Sequence, residues 1–182
     1  MNSKLLDTEE KLKGKRIFLR RFKASDVSQR YVDWLNDPEV NRFLNIREIP
    51  QTLDMVREYV ASYEGKQNKL LLGIFDKTND LHIGNITFSE IDQKNDLGVI
   101  GIAIGDKNYW RGGYGTEALR LAVSFGFFSL NLHRIEAGIS DLNGPSKKLF
   151  KKVGFKQDGV LKGREKFAST YVDSLIFGLV KN

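Results

Sequence analysis

The chain has 182 residues and no cysteine, which removes both disulfides and a thiol nucleophile from consideration. No apolar run approaches the roughly 20 residues of a membrane-spanning helix, so no membrane partner is expected. The opening MNSKLLDTEE lacks the long apolar stretch of a signal peptide, which predicts a cytoplasmic location. No linker, internal repeat or low-complexity segment divides the chain, and its length suits one domain with a real core. The net charge is +6, yet no recognition helix, zinc motif or RNA-binding motif accompanies it. The surplus of Lys and Arg therefore reads as solvated faces plus a few contacts to a polyanionic ligand, not as a nucleic-acid site. What remains is a composition of 41% hydrophobic and 29% charged residues, that of an ordinary globular protein.

The informative stretch is GIAIGDKNYWRGGYGTEA, residues 101–118, where an apolar strand runs into a glycine-rich turn that opens a helix. Gly112, Gly113 and Gly115 are expected to adopt positive φ and let the backbone approach a ligand closely. The helix from Thr116 offers unpaired N–H groups and a positive dipole end, a combination that binds phosphate. A nucleotide P-loop needs Lys and Ser/Thr after its last glycine, and here Thr116 and Glu117 follow Gly115. A dinucleotide fingerprint is formally present as Gly113, Gly115 and Ala118. However, six residues separate the strand from the glycines, and too little chain follows for a second half-fold. Coenzyme A is the third candidate.

Residues 110–119, WRGGYGTEAL, resemble the acetyl-CoA loop of the GCN5-related N-acetyltransferase (GNAT) superfamily, with Trp110 where most members have Gln or Arg. NGPSKKLFKKVGF, residues 143–155, resembles a second block of that family. The variant loop is similar to that of the ribosomal-protein N-terminal acetyltransferase branch. The resemblance covers about Arg16 to the end, leaving residues 1–15 as an N-terminal extension before an acetyltransferase domain over 16–182. It implies a single-domain α/β fold with a mixed, mostly antiparallel central sheet and flanking helices. It implies acetyl-CoA as cosubstrate with no metal, because the thioester already carries the activated acyl group. A homodimer is compatible with it.

Pattern alone supplies the elements. Strands are expected over 16–21, 69–76, 82–89, 98–105, 134–140, 155–161 and 171–180. Helices are expected after Ser25 as N-cap, after Thr52 as N-cap, from Thr116 to about Phe128, and over 145–152. Asn36-Asp37-Pro38 should end the first helix, because the residue before proline avoids the α region.

The resemblance assigns roles within that frame. Backbone groups of Ile102, Ala103 and Ile104 would pair with the pantetheine arm. Trp110, Arg111, Gly112, Gly113, Tyr114, Gly115 and Thr116 would hold the pyrophosphate, and Asn143 would contact pantetheine. Asn143 also reads as a helix N-cap before Gly144-Pro145. Many relatives use a Tyr seven residues after that Asn to protonate the departing thiolate. This chain has Phe150, which has no proton to give and becomes wall of the cofactor site. Ser146 matches the serine of the ribosomal-protein branch, and Glu165 matches an acidic residue there. Ser146 and Glu165 are thus the candidate acid and base. Glu90, Asp92 and Glu48 are alternative bases, and His82 and His133 read as half-buried strand-start histidines. The acceptor pocket would draw on Trp34, Arg42, Phe43, Arg47, Glu48, Glu90 and the segment from Gly163 to Tyr171. Residues 31–40 and 82–86 resemble acetyltransferases of bacterial amino sugars and nucleotide-linked amino sugars, attacked directly in a ternary complex. A protein N-terminal α-amine such as a ribosomal protein's is the alternative, with polyamines and aminoglycosides behind. A catalytically inactive CoA-binding or interaction module is the alternative outside enzymes.

Overall fold

The computed structural model describes residues 11–181. Ten residues of the stretch read as an N-terminal extension lie outside the described residues. Leu12–Lys13 (β1) pairs with Ile17–Arg21 (β2) and so belongs to the sheet. The remaining strands are β3 (Leu70–Asp76), β4 (His82–Asp92), β5 (Leu97–Ile104), β6 (Arg134–Ser140), β7 (Lys156–Phe167) and β8 (Thr170–Val180). Among the described residues four α-helices accompany them: α1 (Gln29–Asn36), α2 (Leu53–Ala61), α3 (Tyr114–Phe128) and α4 (Gly144–Val153). The sheet order is β1-β2-β3-β4-β5-β6-β8-β7. Every pair is antiparallel except β5–β6. This is the expected single-domain, mixed, mostly antiparallel α/β fold.

Two cores sandwich the sheet. On one face Ala118, Leu119, Ala122 and Phe127 of α3 pack with Phe150 of α4 against Ile17, Leu72, Phe88, Ile135 and Phe177. On the other, Tyr31 and Val32 of α1 and Val56 and Val60 of α2 cover Phe18, Phe22, Leu71 and Phe75. Strand β3 lies under both layers, which is why all seven of its residues are buried and why it reads as a continuous apolar run. Burying such a side chain contributes roughly 1.5–3 kcal/mol, so these two cores are the main source of stability.

The structure corrects several expectations. Ser25 does not cap α1. It lies in a short 3₁₀ turn, Ala24–Asp26, held by Asp26, which accepts from Arg20 at 2.7 and 2.8 Å and from the Lys23 N–H at 2.8 Å. Val27 then takes an extended conformation, and Ser28 becomes the cap by accepting from the Tyr31 N–H. Thr52 caps α2 as expected. Helix α3 starts at Tyr114, two residues before Thr116, because Gly113 is the N-cap in a left-handed conformation (φ +83°). Strand β4 runs past Ser89 to Asp92, so Glu90 and Asp92 lie within it. Strand β7 does not stop at Leu161. Gly163, at φ +56°, marks a bulge between Leu161 and Glu165, after which pairing with β8 resumes to Phe167. Glu165 is therefore a strand residue opposite Val172, not a loop residue.

Candidate active site

The parallel pairing of β5 with β6 covers only Leu97–Val99 against Arg134–Glu136. Beyond that point the strands part, leaving Ile100–Ile104 and Ala137–Ser140 without each other's backbone as partner. An unpaired strand edge inside a covered sheet is a template for an extended ligand carrying amide groups. The split opens toward the C-terminal ends of both strands, where the glycine loop and the start of α4 flank it.

On that side the chain builds a concave loop of the kind that holds phosphate. Arg111 and Gly113 both have positive φ (60° and 83°), and α3 begins immediately afterwards. Left-handed residues just before a helix turn successive N–H groups into one concavity. A non-glycine residue at positive φ also stores strain typical of functional loops. Gly112 is not left-handed, and Gly115 sits in the first turn of α3, contrary to the expectation of positive φ at all three glycines. Gly115 matters for closeness instead: a Cβ there would lie 3.6 Å from both Ile104 of β5 and Leu149 of α4.

The loop is braced from three sides. Glu117 Oε1 accepts from the Arg16 N–H at 2.7 Å and Oε2 from Arg16 Nε at 3.0 Å, while Arg16 Nη1 donates to the Gly112 carbonyl at 2.9 Å. Burial raises the Glu117 pKa, but the hydrogen bonds from Arg16 and Ile17 outweigh it and the net shift is downward. Arg16 also lies over the Tyr114 ring at 4.2 Å. Trp110 Nε1 donates to the Ile104 carbonyl at 2.8 Å, tying the loop to the end of β5. Beside the loop, Lys15, Arg16, Thr116, Arg120 and Lys152 line a groove of about 520 Å³, a cationic surface suited to phosphates. Arg16 and Glu117 escaped sequence reading because their pairing spans 101 residues. The one local signal was an acidic residue in the first turn of a helix.

Across the split, Asn143 caps α4 by accepting from the Ser146 N–H at 3.1 Å. The Ser146 hydroxyl has no hydrogen-bond partner among the described residues, and Ser146 lies one turn before Phe150 on the same helix face. Phe150 itself is 2% exposed and packs edge-on against Phe155 at 5.0 Å.

The opposite mouth of the split is on the α1/α2 face. Residues opposed in a ladder project to the same side. The registers thus place Asn85, Thr87, Glu90, Val99, Gly101, Glu136, Gly138, Ser140, Ser174, Val172 and Glu165 on that one face. Glu136 is paired with Arg134 at 2.7 Å. Glu90 and Glu165 carry no ion pair or hydrogen bond through their carboxylates among the described residues. Asp92 is engaged in the β4–β5 turn, accepting from Lys94, Asn95 and the Asn95 side chain, and these bonds hold its pKa down. His82 is half-buried, packed against Phe22 at 4.3 Å with Tyr31, Trp34 and Phe75 around it. Desolvation drives its pKa to about 4, so it is neutral at pH 7. His133 is exposed, away from this face's floor.

The segment between α1 and α2, residues 37–52, straps this mouth. At one end Lys107, just past β5, pairs with Asp37 at 2.7 Å and Glu39 at 3.2 Å. Arg30 pairs with Asp106, and Trp34 lies so close to Gly105 that any Cβ there would collide with its indole. Trp34 is thus a wall keyed to the end of β5. At the other end Phe43 stacks on Phe167 at 6.0 Å, and Arg47 donates to the Lys166 carbonyl at the tip of the β7–β8 hairpin. Glu48 is exposed on the strap.

Comparison with known proteins fits this architecture. Residues 16–156 match the model of the acetyltransferase (GNAT) domain. The chain belongs to the GNAT acetyltransferase family. It is 35% identical over 176 residues to the uncharacterized N-acetyltransferase p20 of Bacillus licheniformis, covering 94% of this chain and 97% of that one. RimL, a ribosomal L7/L12 α-N-protein acetyltransferase solved with coenzyme A, superposes with a TM-score of 0.85 at 16% identity, over 94% and 98% of the two chains. Spermidine N-acetyltransferase from Vibrio cholerae, solved with CoA and spermine, gives 0.81 at 18%, over 91% and 95%. At such identities the two structures show the fold. This GNAT chain is an acetyl-CoA-dependent N-acetyltransferase. Among the described residues no helix is long and apolar enough to cross a membrane.

Proposed function

We propose that acetyl-CoA occupies the β5/β6 split and that a primary amine enters from the α1/α2 face to attack it directly in a ternary complex. The observation that carries this reading is the split itself: a strand edge at Ile100–Ile104 without a β6 partner, ending at a strained loop and a helix N-terminus. Acetyl-CoA supplies the activated acyl group. The chain's task is to hold, orient and move protons. Backbone groups of Ile102 and Ala103 line the pantetheine path, with the Asn143 side-chain amide beside it. The N–H groups from Arg111 to Thr116 converge on the pyrophosphate position.

Ser146 is the proposed proton donor, since it stands in the first turn of α4 and its hydroxyl has no hydrogen-bond partner among the described residues. The proposed base is Glu165, because it and Glu90 are the two unengaged carboxylates on the acceptor face and Glu165 is the more shielded. A carboxylate placed there deprotonates an ammonium as it approaches, a role worth ~10²–10⁴-fold. The acceptor is a small primary amine such as an amino sugar or its nucleotide-linked form. A protein N-terminus must thread the strapped mouth to reach the same place.

Calorimetry with acetyl-CoA, followed by thiol release with an amine panel, tests the reading. The chain holds no cysteine, so the DTNB signal comes from CoA alone. Binding and amine-dependent release are expected. Binding without release by any amine would make the protein a CoA-binding module instead.

A further inference from the structure

The strap that crosses the acceptor mouth carries two guanidinium groups on one aromatic platform. Phe43 and Phe167 stack with an interplanar angle of 27°. Arg42 lies 5.2 Å from the Phe43 centroid and 6.0 Å from that of Phe167, and Arg47 lies 5.2 Å from the same Phe167 ring. Neither arginine has a carboxylate partner among the described residues: Arg47 donates to the backbone carbonyls of Leu44 and Lys166, and Arg42 makes no hydrogen bond. The carboxylates that could neutralise them, Glu48 on the strap and Glu165 on the floor, form no ion pair with either. Arg30, by contrast, is matched by Asp106 just past the end of β5. Two uncompensated cations over a rigid apolar surface, at the point where the acceptor must enter, form a recognition site for an anion.

We propose that the acceptor is a phosphate-bearing primary amine, its phosphate held by Arg42 and Arg47 and its ring or chain lying on Phe43 and Phe167. This rests on the acceptor entering from the α1/α2 face. Two positive charges match the −1.5 to −2 of a phosphate group better than the single charge of a carboxylate. Guanidinium forks fit phosphate oxygens bidentately, and aromatic faces favour a planar or ring-shaped body. The same two charges repel a polyamine, so the chain selects against spermidine at the mouth.

The test measures binding of glucosamine 6-phosphate, glucosamine and spermidine to the CoA-loaded protein by calorimetry, at 50 and 300 mM NaCl. The phosphorylated sugar should bind at least about tenfold tighter than the other two at low salt, with the difference shrinking at high salt. Arg42→Glu should erase that preference and improve spermidine binding. Acetyl-CoA affinity should be unchanged in that variant, since Arg42 packs on Phe43 and Phe167 and makes no contact with the glycine loop among the described residues. Arg42→Ala, a second variant, should raise KM for a phosphorylated amine about 5- to 10-fold with kcat nearly constant. Equal binding of sugar and sugar phosphate, no binding of the sugar phosphate, or an unchanged preference in Arg42→Glu would each overturn the proposal. Turnover of a neutral or cationic amine alongside such a result would leave acetyl transfer through the split intact.

Discussion

Gly115→Ala separates the fold's needs from the ligand's. Gly115 is the second residue of α3 and has helical backbone, so alanine meets no conformational barrier there. Its methyl would sit 3.6 Å from Ile104 Cγ1 and 3.6 Å from Leu149 Cδ2, which is ordinary van der Waals contact. Replacing Gly by Ala in a helix gains up to about 1 kcal/mol, somewhat less in a first turn. For a chain of this size that is a rise of up to ~2–4 °C in Tm. The same methyl stands at the lip between β5, α3 and α4, where a pyrophosphate oxygen must come within about 2.9 Å of an N–H. Losing one hydrogen bond to a charged group costs ~1.5–3 kcal/mol, or about 10- to 150-fold in Kd. Gly113→Ala behaves differently: at φ +83° an alanine costs roughly 1–2 kcal/mol and lowers Tm together with affinity. Calorimetric Kd for acetyl-CoA and scanning calorimetry on both variants give the answer. A Gly115→Ala protein that is as stable as wild type and binds acetyl-CoA with wild-type affinity refutes the phosphate cradle.

Glu165→Gln should lower turnover by ~10²-fold while acetyl-CoA affinity stays constant, with the ascending limb of the pH–rate profile moving toward the amine's own pKa; Glu90→Gln in the same assay tells the two carboxylates apart. Ser146→Ala should cost more in kcat than Phe150→Leu does, and an unaffected Ser146→Ala enzyme would mean that the thiolate takes its proton from water. Arg16→Ala should weaken acetyl-CoA binding and destabilise the chain by only about 1 kcal/mol, because Arg16 is 41% exposed; additivity with Glu117→Gln in a double-mutant cycle would show that the two do not act as one brace. His82 stays neutral in the fold down to pH about 4 but takes up a proton near 6.5 when unfolded, so its contribution is intact above 6.5 and is lost as pH falls toward 4. The full span is worth about 3 kcal/mol, and His82→Phe should flatten denaturant stability between pH 6.5 and 4.5.

The sequence made the core elements legible because their patterns are local. The apolar run of β3, the Thr52 cap and the strand–glycine–helix passage each declare themselves within a dozen residues. The Ser25 cap failed for a local reason too: Asp26 had a better use in bonding Arg20 and Lys23, and it pulled Ser25 into a turn. Glu165 looked like a loop residue because glycine usually ends strands, whereas Gly163 only bulges one. The extent of the β5/β6 split was invisible, since it depends on where two strands whose paired residues lie 37 apart stop pairing. The Arg16–Glu117 brace and the Arg47–Lys166 tie were invisible for the same reason, being contacts across 101 and 119 residues.

The two sides of the split differ in how they are held. On the cofactor side, Glu117 fixes the start of β2 to the start of α3, Trp110 fixes the loop to Ile104, and α3 is buried along Ala118, Leu119, Ala122 and Phe127. A site that must present several N–H groups to one pyrophosphate gains from such rigidity, because the ordering cost is met at folding and not at binding. On the acceptor side, the strap is held by charge pairs at Lys107, by side-chain bonds of Asn36 with Gln51 and of Asn41 with Leu35, by a ring stack on Phe167 and by one contact to the Lys166 carbonyl, with Arg42 and Glu48 exposed along it. Surface ion pairs of this kind contribute at most about 1 kcal/mol each. Substitution along 37–52 can therefore change what is recognised without unsettling the cradle or the sheet. We therefore propose that on this scaffold acceptor identity is carried by residues that cost the fold little to replace, Arg42 and Arg47 among them.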